Sequence, residues 1–189
     1  MNKNLFSSKR NAIIICVLAL VIMLLDIFSD KSSYLVLPVF FCVIYDDTKF
    51  FKWLRPILLG VCAIICLFDF LPAMTAVTNA ANILTISEFV GSCLVSLGSV
   101  LLLVGSLYNF EYLTLFKAGA FSTGAGILAS FIITTMVVAK SGGFAGIGFM
   151  DILSIVTVPL DAVFHFAVCF LTKSKNSVNC LETEQEDGI

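Results

Sequence analysis

Six blocks of this sequence are apolar over lengths that approach or reach a bilayer span, and nothing else in the chain constrains its fold as strongly. They run approximately over residues 11–28, 34–46, 54–71, 86–108, 119–139 and 149–172. A helix rises about 1.5 Å per residue and the hydrocarbon core is about 30 Å thick, so a span needs about 20 apolar residues. Of the 189 residues, 59% are hydrophobic and only 13% are charged, too few to give a soluble domain of this length its polar skin. The expected fold is all-α: a polytopic bundle of six transmembrane helices within residues 1–175. An acidic, disordered cytoplasmic tail over 176–189 follows, carrying Glu182, Glu184, Glu186 and Asp187.

The second block is the weak one. Tyr34 to Ile44 is short for a span and holds Pro38, so it can also be read as a re-entrant segment. The positive-inside rule separates the two readings. With six spans and a cytoplasmic N-terminus, Lys3, Lys9, Arg10, Lys49, Lys52, Arg55, Lys117, Lys173 and Lys175 lie inside, and only Lys31 and Lys140 outside. If the second block turns back, Lys3, Lys9, Arg10 and Lys140 remain inside and the other seven fall outside. Six spans with both termini cytoplasmic is therefore expected. The run from Ala12 to Leu25 resembles a signal peptide, but Asp26 to Lys31 offers no small-x-small cleavage site, so it is read as an uncleaved first span.

Several function classes are disfavoured. The net charge of −2 and the lack of a long basic tract give no reason to expect a nucleic-acid partner. The seven cysteines, Cys16, Cys42, Cys62, Cys66, Cys93, Cys169 and Cys180, are odd in number and contain no C-x-x-C, so they read as packing residues. Cys62 and Cys66 are one turn apart, but no third ligand is near in sequence, and no metal or other cofactor is expected. The H-E-x-x-H motif of zinc proteases, a Walker-type nucleotide-binding loop and a paired-carboxylate motif are missing. Ser122-Thr-Gly124 with His165 suggests an intramembrane serine protease only until the Gly-x-Ser-Gly setting is sought and not found. The chain is not expected to be an enzyme.

Two patterns bear on packing. Gly91-Ser92, Gly98-Ser99 and Gly105-Ser106 recur every seven residues, which keeps one stripe of the fourth span against a neighbour. In the fifth span Ala118, Ser122, Gly126 and Ser130 form a small-xxx-small ridge, with Ala120 and Gly124 beside it. The short turn between these spans predicts a tight antiparallel pair; a rocking surface or a homo-oligomer contact is the functional alternative.

Ionisable residues at membrane depth are costly and mark function. Asp161 falls near the middle of the sixth span, and His165, the only histidine, follows one turn later on the same face. Pro159 just before them removes a backbone donor and frees a carbonyl. A carboxylate and an imidazole there can hold a cation or pass a proton. Asp26, Asp69, Glu88 and Asp151 fall near the outer ends of their spans, where they can line a vestibule that attracts cations.

The reading that follows is a small-solute or cation permease, or the membrane subunit of one, in a bacterial cytoplasmic membrane. Its binding residues are Asp161 and His165, with the four outer acids at the mouth. In length and helix number the whole chain resembles the substrate-binding membrane subunits of energy-coupling-factor transporters, without a diagnostic motif. The alternative is a scaffold, assembly factor or immunity protein working through helix contacts. Besides the lipid bilayer, the partners in view are a small-molecule or cation substrate and a second copy or membrane subunit.

Overall fold

The computed structural model describes residues 5–6, 8–28, 33, 35–44, 49–140 and 148–173. Six α-helices run in order: α1 (Lys9–Ile27), α2 (Val36–Ile44), α3 (Lys49–Asn79), α4 (Ile83–Ser106), α5 (Leu113–Lys140) and α6 (Phe149–Leu171). A 3-10 turn, Leu107–Phe110, joins α4 to α5, and no strand occurs among the described residues. Among the described residues five helices are long and apolar enough to cross a membrane; the nine described residues of α2 are fewer than a span needs. The tail over 176–189 and the loop over 141–147 lie outside the described residues.

The surface is that of a lipid-facing protein. Ile13, Val17 and Leu24 of α1, Val61 and Ile64 of α3, and Val163 and Phe170 of α6 are exposed. The side chains turned inward include Ser87, Ser96, Ser99, Thr123, Thr157 and His165. Water would reverse that distribution, because apolar burial is what folds a soluble chain. The buried hydroxyls satisfy themselves on backbone carbonyls, as a lipid solvent requires. Ser99 donates to Ser96 O at 2.8 Å and Thr157 to Leu153 O at 2.8 Å.

Each helix packs chiefly on its neighbours in sequence, and α1 and α6 meet to close a ring. The α4–α5 pair is the tightest part. Glycines let the two backbones touch: a Cβ on Gly98 would stand 2.7 Å from Thr123 N and 2.8 Å from Gly119 O. One on Gly126 would stand 2.7 Å from Gly91 O, and one on Gly105 would overlap the Phe116 backbone. Ser122 adds a hydrogen bond across the seam to Leu94 O at 2.8 Å. The Gly-Ser heptad and the small-residue ridge thus meet each other within one chain.

Further cross-helix contacts fix direction. Ser96 of α4 donates to Cys66 O of α3 at 2.9 Å, and Phe70 packs on Phe89 with centroids 5.4 Å apart. Asn11 of α1 donates to Leu171 O of α6 at 3.2 Å, and Lys173 N–H to Leu5 O at 3.0 Å. Successive helices from α3 to α6 are antiparallel, and α1 is antiparallel to α6, so α1 and α3 point the same way. The chain between them, with α2 in it, therefore returns along the bundle. This register gathers Lys9, Arg10, Lys52, Arg55, Lys117 and Lys173 at one end, the basic end. Asp151 and Lys140 stand at the other.

Two helices differ in extent from the sequence expectation. The third runs 49–79 rather than 54–71, and the fifth 113–140 rather than 119–139. Prolines 56 and 72 both lie inside α3. The uncharged stretch after Pro72 stays helical, with Thr75 back-bonding to Leu71 O at 2.9 Å. An Asn82–Thr85 capping box then starts α4: Asn82 Oδ1 accepts from Leu84 N and Thr85 N, and Thr85 Oγ1 from Asn82 N. At the basic end Arg55 is buried, its guanidinium 5.6 Å from the centre of the Phe110 ring. Phe110 itself has a positive φ of 66°, in the turn that reverses the chain into α5.

Candidate functional site

A cavity of about 460 Å³ lies within the ring of helices. Its depth follows from α6: Asp161, in its wall, stands ten residues from Leu171, roughly 15 Å or half the hydrocarbon thickness. The wall is assembled from α3, α4, α5, α6 and the residues leading into α2. Cys66 and Asp69 come from α3, Gly91, Ser92 and Val95 from α4, and Ile127, Ser130, Phe131 and Thr134 from α5. Val158 and Asp161 come from α6, and Ser33 and Leu35 from the approach to α2. No lysine or arginine is among them.

Helix α2 is buried in the ring. Val36, Val39, Cys42 and Val43 pack with Leu59, Leu102, Phe116, Phe164 and Val168 in the core toward the basic end. The cavity lies at the opposite end of α2, next to Ser33 and Leu35. On the far side of Cys66, Leu67, Phe68, Asp69, Leu71, Met74 and Thr75 of α3 are exposed, while Phe70 packs on Phe89 of α4. Antiparallel register with α6, set by Asn11 beside Leu171, ends α1 short of the Phe149 end of α6. Asp69 is thus exposed on α3, on the side away from the basic end.

Asp161 and His165 form the buried centre. His165 is 1% exposed and Asp161 13%. Nδ1 of His165 lies 2.9 Å from the backbone carbonyl of Asp161 and 3.0 Å from its carboxylate Oδ1. A carbonyl only accepts, so Nδ1 carries the proton. That N–H is directed at the carbonyl; Oδ1 lies within ion-pairing distance of the same nitrogen and has no hydrogen-bond donor among the described residues. His165 Nε2 is likewise enclosed without a hydrogen-bond partner. Asp161 lines the cavity, and its Oδ1 is shut in. Gly124 of α5 lets α6 come close here: a Cβ on it would stand 3.1 Å from Ala162 O and 3.3 Å from His165 Cβ.

The other acids separate into different roles. Asp69 lines the cavity and is exposed; because α3 runs on to Asn79, it lies well inside its helix rather than near the outer end expected from the sequence. Asp26 accepts from Ser33 N–H at 2.9 Å and from Ser33 Oγ at 3.4 Å, so it holds the turn that leads into α2. It is close enough to Asp161 for the two charges to repel. Asp151 accepts from Gly148 N–H at 2.9 Å, within the first turn of α6. Glu88 is exposed on α4 and is not part of the cavity wall. The structure thus brings Asp161 and Asp69 to one cavity, with His165 behind and Asp26 beside, and leaves Glu88 and Asp151 apart.

No protein-family model, curated protein or solved structure matches this chain. Function has to be argued from the chemistry of the cavity. Sequence reasoning missed several of its residues. Ser92 and Ser130 carried a signal, but as packing positions; Thr134, Phe131 and Cys66 look like ordinary span residues. Ser33 is tied to Asp26 only by the fold. Among the described residues no three of His, Cys, Asp and Glu come together closely enough to hold a metal ion, and no described cysteine is bridged.

Proposed function

We propose that this chain crosses the membrane six times with both termini in the cytoplasm, and that its mid-depth cavity binds and passes a small cation or cationic solute. It acts alone or as the membrane subunit of a transporter, in a bacterial cytoplasmic membrane, and carries out no bond chemistry. The parallel course of α1 and α3 supports the span count, since the chain between them must return. The cluster of basic side chains at one end supports the orientation.

The observation that carries the transport reading is the cavity itself. A carboxylate at mid-depth costs about 2.5–3.5 kcal/mol to insert, and Asp69 is not shielded by packing. Such groups persist where water or a counter-charge reaches them. Two acids, several hydroxyls and no basic side chain make the cavity attractive to positive charge. The scaffold reading has less support, because the glycine seams it would use are filled between α4 and α5. The test is uptake of labelled cations into liposomes holding the purified protein, against Asp161→Asn. Loss of uptake with intact insertion supports the proposal; equal uptake, or none in either protein, refutes it.

A further inference from the structure

We infer that the cavity takes a small organic monocation, an ammonium group on an apolar body, rather than a bare metal ion or an anion. The inference rests on the permease reading and names the class of its cargo. Size comes first. A dehydrated metal ion is held by about six oxygens at about 2.3–2.6 Å, so its site is small and closely lined. This cavity measures about 460 Å³, inside the range of roughly 300–1,000 Å³ typical of small-molecule pockets. The described residues bring no three acidic, histidine or cysteine groups within reach of one ion.

Charge comes second. Among the described residues Asp161 Oδ1 is enclosed without a donor, and the nitrogen beside it, His165 Nδ1, gives its proton to the Asp161 carbonyl. The carboxylate is thus left to be matched from the cavity side. Asp69 adds a second negative group to the same wall. An anionic solute would meet two carboxylates and no lysine or arginine among the described lining residues, and a neutral one would leave Asp161 without a counter-charge from the cavity.

The apolar part of the wall comes third. Leu35, Val95, Ile127 and Val158 line the cavity together with the ring of Phe131. An inorganic ion has no use for such a surface, whereas the carbon body of an amine gains by covering it. An aromatic ring in the wall is also a favourable neighbour for an ammonium group. Ser92, Ser130 and Thr134 supply hydroxyl oxygens that can accept from N–H groups.

The experiment is a binding titration on the full chain in phosphatidylcholine nanodiscs with butylamine, phenethylamine and tetramethylammonium, and with sodium and phenylacetate for comparison. At least one of the three organic cations is expected to saturate the protein below about 10 mM. Asp161→Asn is expected to weaken that binding by about tenfold or more, while Asp161→Glu, which keeps the charge, retains it. Phenylacetate is expected not to bind. The inference is overturned if none of the three saturates, if phenylacetate binds as well as phenethylamine, or if both Asp161 variants bind like wild type. Sodium flux in liposomes separates the two levels. Asp161-dependent sodium flux without amine binding removes the organic cargo and leaves the permease. Amine binding without transport of any cation keeps the cavity assignment and removes the permease.

Discussion

His165 gives its Nδ1 proton to the backbone carbonyl of Asp161 at 2.9 Å, although the Asp161 carboxylate oxygen Oδ1 stands only 3.0 Å away. The histidine therefore braces the helix turn that carries the acid and does not neutralise it by a directed hydrogen bond. A mid-depth carboxylate is left to be matched from the cavity, and the rest of the functional account grows from that.

Bracing of this kind predicts a positioning role for His165. His165→Gln keeps a polar side chain in the same space but loses the rigid ring that packs at 5.2 Å on Phe164. Uptake of the transported cation is expected to fall about tenfold through a raised KM, with maximal rate changed much less. Initial rates in proteoliposomes over a range of cation concentration measure this; an unchanged KM would remove His165 from the site.

The acids divide by geometry. Asp69→Asn and Asp161→Asn are each expected to lower uptake by about tenfold or more, since both line the cavity. Glu88→Gln and Asp151→Asn are expected to stay within about twofold of wild type. The amide oxygen of an asparagine at 151 can still accept from Gly148 N–H. Uptake assays on the four variants, each checked for insertion, decide it. Equal losses in all four would restore a single mouth of acids.

The backbone contact between α4 and α5 predicts a steep contrast between glycines. A Cβ on Gly98 meets backbone atoms of Gly119 and Thr123 within 2.8 Å, whereas one on Gly60 meets nothing within 4 Å. Gly98→Ala should cost about 1–3 kcal/mol of stability through overpacking. Gly60→Ala should be neutral or gain up to about 1 kcal/mol from helix propensity. Thermal unfolding in detergent reports both.

Orientation is tested separately. Lys9→Cys and Lys52→Cys are expected to react with a membrane-impermeant thiol reagent from the cytoplasmic side, and Asp151→Cys from the opposite side. Accessibility labelling of inverted and right-side-out vesicles measures it. Reaction of Lys52→Cys and Lys9→Cys on opposite sides would break the six-span weave.

The helical membrane fold was legible because its cause is written in one dimension: apolar blocks set the helices. The α4–α5 seam was also visible, as glycines at period seven facing a small-residue ridge. The site was only half legible. Asp161 and His165 stand out because one turn separates them and lipid makes them expensive. Asp69 was misplaced because the uncharged stretch after Pro72 reads as loop, while its hydrophobicity keeps it helical to Asn79. Asp151 looked like a vestibule acid because a first-turn cap and a mouth residue have the same sequence signature. The cavity was invisible, since its wall is assembled from four helices and the approach to α2, residues far apart in the sequence that only the fold brings together.

The central claim is that water reaches the cavity carboxylates Asp69 and Asp161 from the outer side. The direct measurement uses Asp69→Cys, with the seven native cysteines replaced by alanine. Lipid-facing Ile64→Cys in the same background is the control. An impermeant thiol reagent added from the outer side is expected to label position 69 and leave position 64 unlabelled. Failure to label position 69 from outside, or equal labelling of both positions, would contradict the account.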